Sequence, residues 1–501
     1  MNHPNGVLPV DSDSTLKPSL AESVVKGSFW IFSLRLTNRM LGLLRTVILA
    51  RLLMPEDFGV VGIAALMIAT LETFSQPGLA TALVQKKENI PDYLDTAWTV
   101  SVVRSILIFI LLLLIAPFVA RFFNSNQARI VLQFLAISVI IAGCRNIGVI
   151  YFQKELNFKN QYIYDVSITL GNIAVAIPTA LLLRNVWALV LGAIAGSITR
   201  LIMSYVLQAY RPRLRLEKEK FSQLFGYGKW VLGSSILVFL ATQGDDIFLG
   251  KMFGAAALGF YQMAYMISNL PTTEVTQILS HVTFPAYAKL QDDRVRLKDA
   301  YLKVIQMITC FAVPLTGGLF IFSHDLVDII LSEKWLPLVP LVKVLVWSGL
   351  MRALMDSTIP VFNATAKPRI HTKWQLFKCV VLALSIYPLA RGWETAGIAG
   401  AVLLATSIAT VGSLYDAKKL VKYEIAVFAK IIAIPFMSML LSLGIIYWGR
   451  GSIVANPVFE GLLLAVIGSL VYTAGIYFFD RVSDYNMGSI IKESIQLLRA
   501  R

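Results

Sequence analysis

The sequence predicts an all-α, polytopic membrane protein: about fourteen transmembrane helices, in two pseudo-symmetric six-helix lobes plus two C-terminal helices. Three observations predict it. Hydrophobic residues make up 56% of the 501 positions and charged residues 15%, against about 45–50% and about 25% in soluble domains. Mean hydropathy is +0.68, which is more apolar surface than one compact core can hide from water. Apolar runs also recur along the chain at the ~20-residue length that crosses a bilayer's hydrocarbon.

Residues 1–27 are polar and carry Asp11 and Asp13. They lack the basic start and apolar core of a signal peptide and read as a cytosolic tail. Residues 28–210 hold runs centred near 40, 68, 108, 140, 174 and 198, the N-terminal lobe. Residues 211–227 are basic, and from Arg211 to Lys229 the residues Leu216, Phe221, Leu224 and Phe225 fall at helical spacing. That pattern predicts a cytosolic linker helix lying along the headgroups. Residues 228–420 hold runs centred near 239, 268, 311, 350, 382 and 405, the C-terminal lobe. Residues 421–480 add spans near 437 and 469, and residues 481–501 form a second cytosolic tail.

Laying residues 28–80 over 228–280 pairs Trp30 with Trp230, Leu49 with Leu249, Arg51 with Lys251, Gly59 with Gly259 and Ala64 with Ala264. An even number of spans separates the two copies, so they keep one orientation. They are predicted to be parallel repeats about an axis along the membrane normal.

The net charge of +15 comes from 45 Lys plus Arg against 30 Asp plus Glu. In a soluble protein it would suggest a nucleic-acid partner; here it reads as topology. With the N-terminus in the cytosol, the loops and tails on that side carry about 27 Lys and Arg and the opposite side about eight. Both termini are therefore expected in the cytosol, and no nucleic acid is needed to explain the charge. The external loops are short, the longest being roughly Ser323 to Pro337, which leaves no room for an external catalytic domain. Cys144, Cys310 and Cys379 are isolated, and His3, His281, His324 and His371 are scattered. Neither disulfides nor a metal site is expected. No GxxxxGK[ST] segment is present, which argues against ATP hydrolysis by this chain. A coupling cation, H+ or Na+, stays open.

A charge at the bilayer centre costs about 2.5–3.5 kcal/mol on insertion scales. Arg200, Lys343, Lys378 and Lys430 are expected to snorkel from span ends; the other intramembrane charges need an inward face. In the first span Arg35, Asn38, Arg39, Gly42, Arg45 and Thr46 share one helical face. Such a guanidinium stripe is expected to line an aqueous cavity, where its forked donors suit phosphate. Arg104 and Arg145 are expected to line a cavity as well. The competing reading is a salt-bridged helix, with Arg45 meeting Asp245 across the repeat axis. Asp245, Asp246 and Glu274 are candidates for inter-lobe ion pairs, for an ion or proton coupling site, or for substrate contact.

Four segments carry a family resemblance: ILARLLMPEDFGVVGIA (48–64), FSQPGLATALVQKKENIPDYLDTAW (74–98), DDIFLGKMFGAAALGFYQMAY (245–265) and FPAYAKLQDDRVRLKDAYLK (284–303). Over roughly residues 20–480 the chain resembles the oligosaccharide flippase and polysaccharide exporter family, closest to colanic-acid-type exporters. The same superfamily contains drug extruders and the lipid II flippase. The resemblance implies a non-enzymatic inner-membrane transporter without a cofactor. It would turn polyprenyl-pyrophosphate-linked oligosaccharide repeat units from the cytosolic to the outer leaflet by alternating access, for surface polysaccharide synthesis. Membrane lipids are implied partners, and a polysaccharide polymerase and a chain-length protein are candidate ones. A first-span arginine cluster lines the cavity of the lipid II flippase, and Arg35, Arg39 and Arg45 resemble it in kind. The intramembrane charges, about ten basic to six acidic, suit an anionic headgroup. A cation-coupled multidrug extruder, which should show the reverse balance, is the second reading. A membrane glycosyltransferase or glycan polymerase using Asp325, Asp328 and Glu333 is the third.

Overall fold

The computed structural model describes the backbone of residues 20–75, 91–155, 157–449, 457–483 and 485; the side chains of 20–32, 35, 91–92, 153, 218–232, 234, 271, 273–275, 277–282, 285 and 457–459 are not described. The expected tails at 1–19 and 486–501 and the segment 76–90 lie outside these residues.

The described backbone is mostly helical, with no strand among the described residues. The N-terminal half contains α1 (Leu20–Leu52), α2 (Pro55–Ser75), α3 (Pro91–Phe122), α4 (Asn126–Gly143), a short α5 (Ile150–Lys154), α6 (Phe158–Leu183) and α7 (Trp187–Val206). The remainder contains α8 (Lys218–Leu290), α9 (Arg294–Ile330), α10 (Val339–Asp356), a short α11 (Ile359–Ala364), α12 (Arg369–Val421), α13 (Ile425–Gly449) and α14 (Pro457–Ser483). Eleven helical segments among the described residues are long and apolar enough to cross a membrane.

Two helices are broken, each where the sequence changes character. In α8 the break is Gly254, at φ 80 and ψ −174, a conformation that glycine takes at little cost. In α12 it is Trp393–Glu394, with Glu394 at φ 50, beside Gly392 and Gly397. The expected spans centred near 239 and 268, and near 382 and 405, fall on either side of these breaks.

Within the N-terminal half α1 packs along α6, α6 along α7, α3 along α4, and α2 against α4. In the other half α10 packs on α8 and α12, α9 on α13, and α13 on α14. The main bridge between halves is α2 against α8. This seam is reciprocal. A methyl group at Gly59 would collide with the Ala255 carbonyl, and one at Gly259 with the Pro55 carbonyl; Gly62 faces its own counterpart, Gln262. Residues 55, 59 and 62 thus meet 255, 259 and 262, the pattern of contacts across a two-fold axis. Absent side chains are what let the backbones approach so closely.

The seam is sealed at the end of the bundle where α1 finishes. Arg51 donates from Nε to the Ile330 carbonyl at 2.9 Å and also bonds the Ile329 carbonyl, two unpaired acceptors at the C-terminus of α9. In return, Lys334 donates to the Arg51 carbonyl at 2.8 Å, and the fully buried Trp335 donates from Nε1 to the Ala50 carbonyl at 2.8 Å. The Trp335 ring sits edge-on to Phe58 of α2 and Phe260 of α8, with centroids 5.3 and 5.8 Å away. The segment Ser323 to Pro337, weighed above as a catalytic loop, is the end of α9 and a 3-10 turn that together make this closure.

The linker corrects one expectation. Residues 208–217 are extended rather than helical, and α8 begins at Lys218. Arg213 N–H donates to Asp95 Oδ1 and Arg215 N–H to Thr99 Oγ1, both at 2.9 Å; Glu217 N–H reaches Thr96 Oγ1 at 3.4 Å. Three side chains at the start of α3 therefore hold alternate amides of an extended strap. Tyr210 bonds Asp95 as well, and burial together with that carboxylate pushes its phenol above the usual range.

Candidate functional site: an inter-half hollow and a second cavity

The first hollow, of about 510 Å³, lies between the halves. From the N-terminal half Arg39 of α1 and Gly62, Leu66 and Ala69 of α2 line it; from the other half come Asp245, Asp246 and Tyr265 of α8 and Arg352 of α10. It exists because glycine and alanine on α2 keep that helix thin where it faces α8. Its charged wall is tightly tied: Tyr261 donates to Asp245 Oδ2 at 2.6 Å, Gln262 Nε2 to Asp246 Oδ2 at 3.1 Å, and Arg352 Nη1 to the Tyr265 hydroxyl at 2.5 Å. Behind this wall Lys378 of α12 is 7% exposed and feels the charges of Asp245, Arg352 and Asp356. It does not snorkel, because the carboxylates of Asp245 and Asp356 stand within reach.

The first-span stripe divides. Arg39 faces the inter-half hollow. Arg45 turns instead to α6, donating from Nη1 to Asn172 Oδ1 at 3.1 Å. Two other polar residues of α1 do likewise: Asn38 accepts from Thr169 at 3.0 Å, and Thr37 lies 3.4 Å from the Tyr162 hydroxyl. The Arg45–Asp245 pair suggested by the repeat register is not formed, since α1 packs along α6 and an amide oxygen is the nearer acceptor. The side chains of Arg35 and Glu274 lie outside the described residues.

Arg104 and Arg145 come together, but in a different place. They line a second cavity of about 500 Å³ within the N-terminal half, and Arg200 joins them there. Arg200 was expected to snorkel; the apolar run of α7 continues beyond it from Leu201 to Val206, a signal that it is not at a span end. Arg352 was legible by the same test, since Ala353, Leu354 and Met355 continue the apolar run, whereas Lys378, preceded by Lys373 and Gln375, was not.

Residues 48–340 match the polysaccharide biosynthesis protein family. The chain is 26% identical over 391 residues to the lipopolysaccharide biosynthesis protein WzxC of Escherichia coli K12, covering 77% of this chain and 78% of that one. It is 23% identical over 437 residues to the teichuronic acid biosynthesis protein TuaB of Bacillus subtilis, covering 86% and 90%. Its fold matches the lipid II flippase MurJ in an inward closed conformation, with a TM-score of 0.70 at 16% identity over 91% of this chain and 99% of that chain. The matched segment covers more than half of this all-α polytopic chain, which therefore belongs to the polysaccharide biosynthesis protein family.

Proposed function

We propose that the protein is a bacterial inner-membrane flippase that moves polyprenyl-pyrophosphate-linked oligosaccharide repeat units across the bilayer by alternating access. The observation that carries this reading is the hollow shared by the two halves, which combines Arg39 and Arg352 with closure at one end. A guanidinium at bilayer depth is costly unless it meets water or an anion, and a diphosphate offers the oxygens its fork fits. The names of WzxC and TuaB assign both to surface-polysaccharide synthesis, and MurJ is named a lipid II flippase, which agrees with a lipid-linked saccharide as cargo.

In this reading the chain crosses the membrane fourteen times, counting α1 and both rods of α8 and α12, with both termini in the cytosol. Residues 28–210 and 228–420 form the two lobes, 211–227 the connection between them, and 421–480 an added pair of helices. The lobes rock about the α2–α8 seam while the polyprenyl tail stays in lipid. Arg39 holds the diphosphate, with Arg35 and Arg45 on the same helix supporting the field. Asp245 and Asp246 answer Arg352 and Lys378, so that the cargo's charge replaces or competes with an internal one; Glu274 lies on the same helix. A polysaccharide polymerase and a chain-length protein would act on the exported unit.

The test is complementation of a deletion strain, with lipid-linked oligosaccharide measured by mass spectrometry. Arg39→Ala should insert normally, abolish surface polysaccharide and accumulate precursor. Wild-type polysaccharide in that strain would refute the assignment.

A further inference from the structure

We infer that the N-terminal half holds a second anion site, built from Arg104, Arg145 and Arg200, that takes a carboxylate-bearing sugar of the glycan. The inference rests on the flippase reading and adds the chemical class of the cargo's head. The cavity of about 500 Å³ is formed where α2, α3, α4, α6 and α7 converge, and its size falls in the usual range for small-molecule sites.

Three guanidiniums there face two carboxylates, Glu72 and Asp165. Asp165 is already engaged by Gln161 Nε2 at 2.6 Å. The charges of Glu72 and Arg104 act on one another, as do those of Asp165 and Arg200. The charge of Arg145 acts on the Tyr164 phenol, whose hydroxyl is buried without a hydrogen-bond partner. Positive charge therefore remains in excess by one. Arg200 Nε is buried without a hydrogen-bond partner, and a buried donor left unmade is unfavourable enough to imply a missing acceptor.

The cavity is distinct from the hollow at Arg39, since the two share no lining residue. A lipid diphosphate seated at Arg39 leaves the excess positive charge of these three arginines unanswered. Trp98 and Tyr164 add aromatic surface, and Ser101 and Ser105 add hydroxyls. An inorganic anion has no use for an aromatic wall, whereas a sugar ring presents C–H faces to aromatic rings, hydroxyls to serine, and, when oxidised at its primary carbon, a planar carboxylate that matches the guanidinium fork.

The full-length protein, purified into phosphatidylcholine nanodiscs, is titrated with a fluorescently labelled glucuronic acid trimer and separately with a labelled glucose trimer, following polarisation. The uronate trimer should bind at least about tenfold tighter than the glucose trimer. Arg200→Ala and, independently, Arg104→Gln should each weaken it by about tenfold or more. Arg200→Lys, which keeps the charge but loses the fork, should recover part of the binding. Equal binding of the two trimers overturns the inference, as does unchanged uronate binding in correctly folded Arg200→Ala. Displacement of the uronate trimer by inorganic pyrophosphate, with Arg200→Ala weakening pyrophosphate equally, also overturns it and gives the site to the carrier's diphosphate. The probe carries no lipid, so its failure to bind leaves the flippase reading intact, and failure of the Arg39 experiment leaves this binding measurable.

Discussion

Replacing Trp335 with alanine is expected to open the sealed end of the molecule. The indole is completely buried, donates one hydrogen bond to the Ala50 carbonyl, and makes edge contacts with a phenylalanine from each half. The Phe260 contact lies within the C-terminal half and survives opening, whereas the Phe58 contact and the hydrogen bond to Ala50 cross the seam and are made only while this end is shut. One edge contact at about 0.5–1.5 kcal/mol and one hydrogen bond at about 0.5–1.5 kcal/mol set the loss to the closed state at about 1–3 kcal/mol. The closed-to-open ratio should fall by about 5- to 160-fold. Spin labels at Gln127 of α4 and Asp328 of α9, in a chain with Cys144, Cys310 and Cys379 replaced, report the separation of the halves at this end by electron–electron resonance. The wild type should give one short distance, and Trp335→Ala a second, longer one beside it. Trp335→Phe keeps the ring contacts and loses only the hydrogen bond, so its shift should be about 0.5–1.5 kcal/mol. A Trp335→Ala distance distribution identical to wild type would refute the idea that these contacts hold the halves together.

Gly59→Ala and Gly259→Ala should be similarly damaging, each lowering stability by about 1–3 kcal/mol through overpacking of backbone on backbone. Gly444→Ala in α13 meets open space and should be neutral or stabilising by up to about 1 kcal/mol; thermal unfolding followed by size-exclusion chromatography ranks the three. Asp95→Ala removes the acceptor shared by Tyr210 and the Arg213 amide, so trypsin should cut at Arg213 and Arg215 several-fold faster and release two fragments; an unchanged cleavage rate would mean the strap is held elsewhere.

The fold class was legible because lipid imposes a coarse rule: every crossing needs a long apolar run, and the runs are there to be counted. The reciprocal seam was half legible, since Gly59 and Gly259 align at the repeat spacing, although only packing shows that each meets the other half's helix start. The linker was misread only up to Glu217, since positions 221, 224 and 225 do lie on α8, and for a physical reason. Leu216, Phe221, Leu224 and Phe225 fit a helix, but Arg211, Arg213 and Arg215 alternate with Pro212, Leu214 and Leu216 at a period of two, which is the signature of an extended segment. For the site, periodicity found the charged face of α1 but not its division: whether Arg45 turns to Asn172 or across the axis depends on which helix packs beside it. The grouping of Arg200 with Arg104 and Arg145 joins α3, the turn after α4, and α7, and separation along the chain hides it.

Purified protein in liposomes containing a fluorescent polyprenyl-diphosphate oligosaccharide tests the central claim most directly, with an impermeant quencher or glycosidase counting the lipid in each leaflet over time. Wild-type protein should equilibrate the lipid between leaflets and Arg39→Ala should leave it where it was loaded. Equal rates with wild-type, Arg39→Ala and protein-free liposomes would contradict the account.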